Sequence, residues 1–243
     1  MTATSKTGTR KRRAAGRFKT PEATRKRVRR LIALLKAEYP EARTALAHED
    51  PYQLLVATIL SAQCTDRRVN MVTPKLFARF PDARSLAKAR LAELEELIRS
   101  TGFFRNKAKN LIACAGGLVT RHNGEVPATM KELTALGGVG RKTANVVLGN
   151  AFGKEIGVVV DTHVNRLSNL LGLTSATKPE QVERDLMALV PRREWTLFAH
   201  LLIYHGRAVC IARRPRCSAC ALYDYCPGRR EEPRGALPRK PRP

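Results

Sequence analysis

Apolar residues recur along much of the chain at intervals of three and four, the spacing that places them on one face of an α-helix. The run from Val28 to Tyr39 follows this spacing and stops before Pro40, which predicts an amphipathic helix near the N-terminus. Pro51 opens the stretch YQLLVATILSAQ, which is apolar almost all round. A helix without a polar face is expected to lie inside the protein, so we predict a buried helix here.

The same periodicity predicts further helices over most of the chain. They are Arg68–Arg79, Ser85–Ser100, Asn106–His122, Met130–Leu136, Arg141–Ala151, His163–Leu171, Pro179–Leu189 and Glu194–Arg207. The one strong strand candidate, Ile156–Val160, would have no strand to pair with, and we interpret it as a buried extended linker. The predicted fold class is therefore all-α.

A large excess of positive charge is the strongest feature of the composition. The 243 residues include 45 Lys and Arg against 21 Asp and Glu, which gives a formal net charge of +24. Basic residues are densest at the two ends, which we interpret as a disordered basic arm over 1–22 and a basic tail over 228–243. They also outnumber acidic residues between these ends. A basic body indicates a polyanionic partner, with nucleic acid as the default and an anionic membrane surface as the alternative.

Three further features limit the class of protein. No apolar run approaches the ~18 residues that a membrane helix needs. The start, MTATSKTGTRKRR, lacks the apolar core of a secretory signal peptide. Six cysteines in a chain of this length are too few for a disulfide scaffold. We therefore expect a cytoplasmic protein that does not contact membranes.

The stretch LTALGGVGRKTANVVL carries the richest local motif. It predicts a helix that ends at Leu136, a sharp turn through Gly138 and Gly140, and a second helix that begins at Arg141. Glycines permit positive φ and let another backbone approach closely. The amides at the start of the second helix favour a bound phosphate. In a basic chain this helix–hairpin–helix indicates binding to the DNA backbone rather than an ordinary turn between helices, with Gly138, Gly140 and Arg141 as the predicted contacts.

Two ionisable residues are placed where they could take part in catalysis. Lys142 lies in the first turn of the second hairpin helix, and Asp161 follows an apolar run at a helix N-cap position. Their ordinary roles would be a phosphate contact for Lys142 and a helix cap for Asp161. A lysine amine can also act as a nucleophile that forms a Schiff base, with a nearby carboxylate to stabilise the cationic intermediate. Lys142 and Asp161 are therefore the catalytic candidates.

Four cysteines lie near the C-terminus, separated by six, two and five residues. They are Cys210, Cys217, Cys220 and Cys226. Four thiolates can bind a tetrahedral zinc ion or a [4Fe–4S] cluster, and the spacing is not one of the paired C-x-x-C zinc patterns. Either group would hold the loop IARRPR, whose Arg213, Arg214 and Arg216 we predict to meet DNA phosphates.

Several motifs together resemble the bacterial endonuclease III family of helix–hairpin–helix DNA glycosylases with AP-lyase activity. These are LGGVGRKTANVV, VDTHVNRL, LLVATILSAQCTD, TGFFRNKA, HNGEVP and the cysteine spacing, which cover about residues 25–227. The resemblance implies that Lys142 is the Schiff-base nucleophile, that Asp161 is its acidic partner and that the four cysteines bind one [4Fe–4S] cluster. Gly137 departs from the family, which usually has proline there, but both glycines expected near the phosphate remain.

The resemblance also implies two helical domains that flank a DNA cleft. A six-helix barrel with the helix–hairpin–helix is expected over 44–155, and an iron–sulfur cluster domain over 23–43 and 156–227. A glycosylase that flips a base out of the stack must fill the gap. Gln63 matches one of the family's positions for this task, and Phe103 or Phe104 the other. We choose Phe103, with burial of this aromatic pair in the core as the alternative.

The predicted function is a bifunctional DNA glycosylase and AP lyase of base excision repair. We expect it to excise damaged, mainly oxidised, pyrimidines from double-stranded DNA, to cleave at abasic sites, and to act as a monomer in the nucleoid of a bacterial cell. One alternative is a mismatch-adenine glycosylase, which lacks the lysine and has a glutamate where ATILSAQ here has Thr58. The other is a non-catalytic DNA-binding protein, which would need neither Lys142 nor Asp161.

Overall fold

The computed structural model describes residues 21–229, and most of the predicted basic arm and tail lies outside this range. The eleven α-helices within 21–229 are α1 (Pro21–Glu38), α2 (Pro51–Leu60), α3 (Asp66–Arg79), α4 (Ala83–Ala87), α5 (Leu91–Ile98), α6 (Phe104–His122), α7 (Met130–Thr134), α8 (Arg141–Phe152), α9 (Thr162–Leu170), α10 (Pro179–Leu189) and α11 (Trp195–Ala208). These same residues contain no β-strand, which confirms the all-α prediction. None of the helices described combines the length and apolar character needed to cross a bilayer.

Most predicted helices are present with ends within a few residues of those predicted. The prediction of one helix over Ser85–Ser100 is wrong, because α4 and α5 are separate. Arg90 between them is extended, with φ −70° and ψ 128°. Leu86 and Leu94 are both buried in the same core. The packing of two short helices here overrides the helix-forming composition of the link.

The first hydrophobic core is built from side chains between Leu46 and Leu148, and α2 contributes many of them. Asp50 starts α2 by accepting a hydrogen bond of 2.7 Å from the backbone N–H of Gln53. Four side chains of this helix are completely buried, namely Leu54, Leu55, Ala57 and Leu60. Each buried leucine contributes roughly 1.5–3 kcal/mol through the hydrophobic effect. The buried helix predicted from its apolar surface is therefore confirmed.

The second core joins α1 to α9, α10 and α11. The stretch Val158–Val160 is buried in it without forming a strand, as predicted for an extended linker. Arg27 of α1 is only 5% exposed, and its Nη1 donates to the carbonyls of Leu171 at 2.7 Å and Tyr225 at 3.1 Å. This guanidinium ties the N-terminal helix to the cysteine-bearing segment. The exact domain boundaries stay a prediction.

The two cores meet along α8, where Val146 packs against both. Gly149 of α8 faces Thr196 of α11. A Cβ at position 149 would lie 2.9 Å from Thr196 Cγ2 and closer still to its hydroxyl. Thr196 is held in place because its hydroxyl and its backbone N–H both donate to the Glu155 carboxylate at 2.8 Å. Glycine at position 149 therefore permits the close approach of the two helices.

Gly149→Ala should lower the free energy of unfolding by about 1–3 kcal/mol, because the added methyl group overpacks the contact between α8 and α11. Urea unfolding followed by circular dichroism measures this change. The matched control is Gly116→Ala in α6, where an added Cβ meets nothing within 4 Å. In that control the free energy of unfolding should stay unchanged or rise by up to ~1 kcal/mol. Equal stabilities for the two variants would contradict the packing argument.

Candidate active site

Lys142 and Asp161 line the same cavity, which lies where the two cores meet. The cavity has a volume of about 230 Å³ and is bordered by residues of α8 and α11, by the chain just after α2 and by the loop before it. Lys142 is exposed in the first turn of α8, and Asp161 is half-buried at the end of the linker from the first core to the second. The linker therefore brings the chain back to the cavity that the first turn of α8 also lines. Both predicted catalytic candidates are in one site.

Asp161 serves as the N-cap of α9, as its sequence position predicts. Its Oδ1 accepts a hydrogen bond of 2.8 Å from the backbone N–H of Val164. This bond fixes the direction of the carboxylate while its side chain still lines the cavity. Capping and a role beside Lys142 are therefore compatible.

The predicted helix–hairpin–helix consists of α7, a glycine-rich turn and α8. Gly138 has a φ of +71°, and a Cβ there would lie 2.7 Å from Asn110 Cβ. Gly140 is extended and caps α8 without a side chain, so the first amides of that helix are not covered by a capping group. Gly137 packs tightly on α6, since a Cβ there would lie 2.7 Å from Ala113 Cβ. In this chain a small residue at 137 is a packing requirement.

Arg141, a predicted DNA contact, pairs with a carboxylate of the protein. Its Nε and Nη2 donate to the two Glu183 carboxylate oxygens at 2.8 and 2.9 Å. Glu183 is largely buried and also accepts a hydrogen bond of 2.9 Å from Asn145 Nδ2. The Arg141 side chain thus links α8 to α10, and its contact with DNA stays a prediction.

Gln63 and Phe103 share an unusual backbone conformation. Their φ angles are +52° and +49°, in the left-handed region that residues other than glycine rarely adopt. Gln63 is exposed and lines the cavity, and Phe103 is 64% exposed. Burial of Phe103 in the core is therefore wrong, whereas Phe104 does pack against the first core. Strained residues of this kind cluster at functional sites, because the surrounding structure must hold them there.

Three charged residues of the cavity were not predicted from the sequence, namely Arg43, Asp66 and Arg207, and two of them form an ion pair. Arg207 on α11 donates to Asp66 on α3 at 2.8 Å, and both side chains line the cavity. They are 141 residues apart, so no local pattern connects them. Tyr204 and His200 of α11 also line the cavity, although only their helix was predicted.

The four cysteines line a second cavity, of about 190 Å³. Arg166 approaches one of them, Cys210, with Nη1 3.6 Å from the sulfur and Nη2 donating to the backbone carbonyl at 2.7 Å. His205 Nε2 lies 3.3 Å from Cys220 Sγ, and its Nδ1 is 3.1 Å from the Tyr39 hydroxyl. Burial raises the pKa of Cys220 to about 11. Polar groups therefore approach at least two of the sulfurs.

A zinc ion and a [4Fe–4S] cluster are the two groups expected for the four cysteines from the sequence. Within residues 21–229, no three or more His, Cys, Asp or Glu side chains are grouped so as to hold a metal ion. The four thiols instead surround a shared and largely apolar space. Four thiols are a donor set that both a tetrahedral zinc ion and an iron–sulfur cluster use.

Comparison with known proteins identifies the family. Residues 56–192 match the HhH-GPD superfamily of base excision DNA repair proteins. The chain belongs to this superfamily. Endonuclease III of Synechocystis sp. is 57% identical over 203 residues, which cover 84% of this chain and 93% of that protein. Endonuclease III of Escherichia coli is 40% identical over 196 residues, 81% of this chain and 92% of that protein.

Solved structures show the same similarity. A trapped covalent endonuclease III–DNA intermediate has a TM-score of 0.79 and 41% identity, and the match covers 84% of this chain and 96% of that chain. A non-covalent endonuclease III–DNA complex has the same TM-score. A thermostable thymine-DNA glycosylase, 24% identical, shares the fold with a TM-score of 0.75.

His200 should make folding stability depend on pH. Burial lowers its pKa to about 4, a shift opposed in part by the charges of Asp161 and Asp66. Its Nε2–H donates to Asn150 Oδ1 at 2.8 Å, since the Asn150 amide nitrogen is already donating to Val146 O. The unfolded chain takes up a proton near pH ~6.5, so this contribution to stability is present above that pH and is lost as the pH falls toward 4.

His200→Gln keeps a hydrogen-bond donor but cannot take up the proton. We expect its free energy of unfolding to fall less than that of the wild type between about pH 7 and about pH 5. Urea unfolding at the two pH values measures the difference, and any pH-independent loss of packing is seen at the higher pH. The same decline in both proteins would show that His200 is not the group responsible.

Proposed function

We propose that this chain is a bifunctional DNA glycosylase and AP lyase of base excision repair, acting on double-stranded DNA with damaged bases or abasic sites. The observation that carries the proposal is the cavity shared by Lys142 and Asp161 at the start of the second hairpin helix. The similarity to endonuclease III and to its DNA complexes supports it. Damaged pyrimidines are the proposed substrates, as the resemblance implies.

The proposed reaction uses one nitrogen twice. The unprotonated Lys142 amine attacks C1′ of the flipped nucleotide, and the bond from C1′ to the base breaks, so that the base leaves with its electron pair and takes up a proton. The attached nitrogen then loses a proton, the C1′–O4′ bond breaks and O4′ takes up a proton, which opens the sugar and leaves an imine between Lys142 and C1′. This imine acidifies C2′. Loss of a C2′ proton and breakage of the 3′ C–O bond then cleave the strand by β-elimination. Asp161 stabilises the positive charge that develops on the sugar.

The DNA contacts proposed for this chain surround the same cavity. The backbone amides of Gly138, Gly140 and the first turn of α8 bind a phosphate, because α8 has no side-chain cap and the turn leads to the positive end of this helix. Gln63 and Phe103 enter the space left by the flipped nucleotide. The exposed loop with Arg213, Arg214 and Arg216 meets the phosphate backbone.

The alternatives are less consistent with the cavity. A mismatch-adenine glycosylase needs a carboxylate on the helix before its glutamine, but Thr58 is at this position and donates its hydroxyl to Leu54 O at 2.7 Å. A non-catalytic DNA-binding protein would not need an exposed lysine and a half-buried aspartate in the same cavity.

We propose one [4Fe–4S] cluster as the group held by Cys210, Cys217, Cys220 and Cys226. When bound, it supplies four iron–thiolate bonds that cross-link the segment, with no part in the reaction at the sugar. The surrounding residues hold the segment in position: Arg166 binds the Cys210 carbonyl, and the Arg216 N–H donates to Val209 O at 3.0 Å. The arginine loop between the first two cysteines is thereby fixed.

Lys142→Gln should lose base excision, strand cleavage and borohydride trapping on abasic DNA together, because one amine serves both steps. Binding to damaged DNA should persist, since the hairpin groups that hold phosphate belong to the backbone. Gel-based single-turnover assays measure both activities. Lys75→Gln, which removes an exposed lysine from α3, is the control for loss of one charge. Wild-type cleavage and trapping by Lys142→Gln would assign the nucleophile to another amine.

Asp161→Asn tests the electrostatic role separately. Asparagine can cap α9, so the fold should be kept, but the negative charge beside the developing cation is lost. The excision rate should fall by roughly 10²-fold or more, with lesion binding retained. A wild-type rate with this variant would limit Asp161 to its capping role.

The purified protein should be yellow-brown and contain about four irons per chain, as a thiolate-bound cluster requires. Metal analysis by plasma emission, together with the visible absorbance spectrum, measures this. The spectrum should be lost in a Cys217→Ser variant and kept in Cys114→Ser, which changes a buried cysteine of the first core. Stoichiometric zinc without iron, in protein prepared with and without air, would overturn the cluster assignment.

A further inference from the structure

Lys107 is a buried cation to which the proposed function assigns no role. It lies in the first turn of α6 and is only 4% exposed. Its Nζ donates to Leu60 O and to Thr101 O, both at 2.8 Å. Among residues 21–229 no carboxylate pairs with it. Burial lowers its pKa accordingly. A lysine is rarely buried without a carboxylate, so we interpret the hydrogen bonds to these two carbonyls as the reason why Lys107 is buried.

The two carbonyls belong to the ends of two separate segments. Leu60 is the last residue of α2, where the carbonyls carry partial negative charge. Thr101 is the last residue of the 3₁₀ turn Arg99–Thr101, and its own hydroxyl donates to Ile98 O at 2.8 Å. Each segment then leads within three residues to an exposed side chain on left-handed backbone, Gln63 in one case and Phe103 in the other. One ammonium group therefore holds the base of both turns.

We infer that Lys107 is a positioning residue that fixes the distance and direction between Gln63 and Phe103. The inference rests on the proposed function, in which these two side chains fill the duplex beside a flipped nucleotide. Two side chains on separate turns enter one gap only when their separation is set beforehand, because mobile turns would lose the strained backbone that aims them. The two hydrogen bonds from Lys107 supply this connection inside the protein, where DNA does not reach.

Lys107→Met tests the inference, because methionine nearly matches the length of the side chain and removes both hydrogen bonds. The matched control is Lys109→Met, which removes the same charge from an exposed position on α6. The fluorescence of 2-aminopurine placed opposite a damaged pyrimidine reports unstacking. Single-turnover excision of the paired base and cleavage at a preformed abasic site are measured in parallel.

For Lys107→Met we expect the unstacking signal and the excision rate to fall by at least ~10-fold. Cleavage at an abasic site should change by less than about 3-fold, because no paired base has to be displaced there. Lys109→Met should keep the wild-type ratio of excision to abasic-site cleavage. Equal losses in both reactions for Lys107→Met, or no loss in either, would overturn the positioning role.

A second variant covers the case in which Lys107→Met does not fold. Lys107→Gln keeps one donor group, and we expect an intermediate loss of unstacking with abasic-site cleavage retained; a wild-type ratio would overturn the inference. Failure of the proposed function has a different signature. The wild type would then neither excise nor be trapped on abasic DNA, or Gln63→Ala and Phe103→Ala would leave the unstacking signal unchanged.

Discussion

The close approach of α8 to α11 is the contact on which the geometry of the site depends. At Gly149 a side chain would collide with Thr196, and Thr196 is itself held by Glu155 in the link after α8. Because a helix is rigid over this length, fixing α8 at Gly149 also fixes its first turn. Lys142 is therefore presented beside the residues of α11, at the cavity that Asp161 reaches from the other core. Reactive groups held by packing in this way need little reorganisation when a substrate enters.

The largely buried Glu183 carboxylate near the junction of the two cores is paired. Glu183 takes two hydrogen bonds from Arg141 and one from Asn145, and a Cβ at Gly157 would run into its carboxylate. A buried charge that loses its partner costs about 3–5 kcal/mol, far more than an intact pair contributes over an apolar replacement. We therefore interpret this network as one that specifies how α8 and α10 fit together. Other arrangements of α8 and α10 are disfavoured because they would leave the Glu183 carboxylate without its partners.

The sequence predicted what is encoded locally and missed what depends on distant partners. Helical periodicity, the glycine turn and the N-cap at Asp161 each lie within a few residues, so most helices and the hairpin could be predicted. The break at Arg90 could not, since it arises from packing rather than propensity. Arg141 was predicted from its basic surroundings, but Glu183, its partner, is 42 residues away. Lys107 lies among Arg105, Asn106 and Lys109 in the sequence, so nothing local indicated that it turns inward to two carbonyls.

The contacts of Arg27 affect the order in which parts of the protein fold during synthesis on the ribosome. The buried residues of the first core lie between 46 and 148, and those packed against it extend to Ile156, so this core can assemble while the rest of the chain is still being made. The helix that carries Arg27 emerges earlier, but its carbonyl partners at Leu171 and Tyr225 emerge much later. Its apolar face, which includes Val28 and Leu31, can therefore be buried only after nearly the whole chain has been synthesised. The helix that carries Arg27 is synthesised before the first core and is among the last segments to be buried.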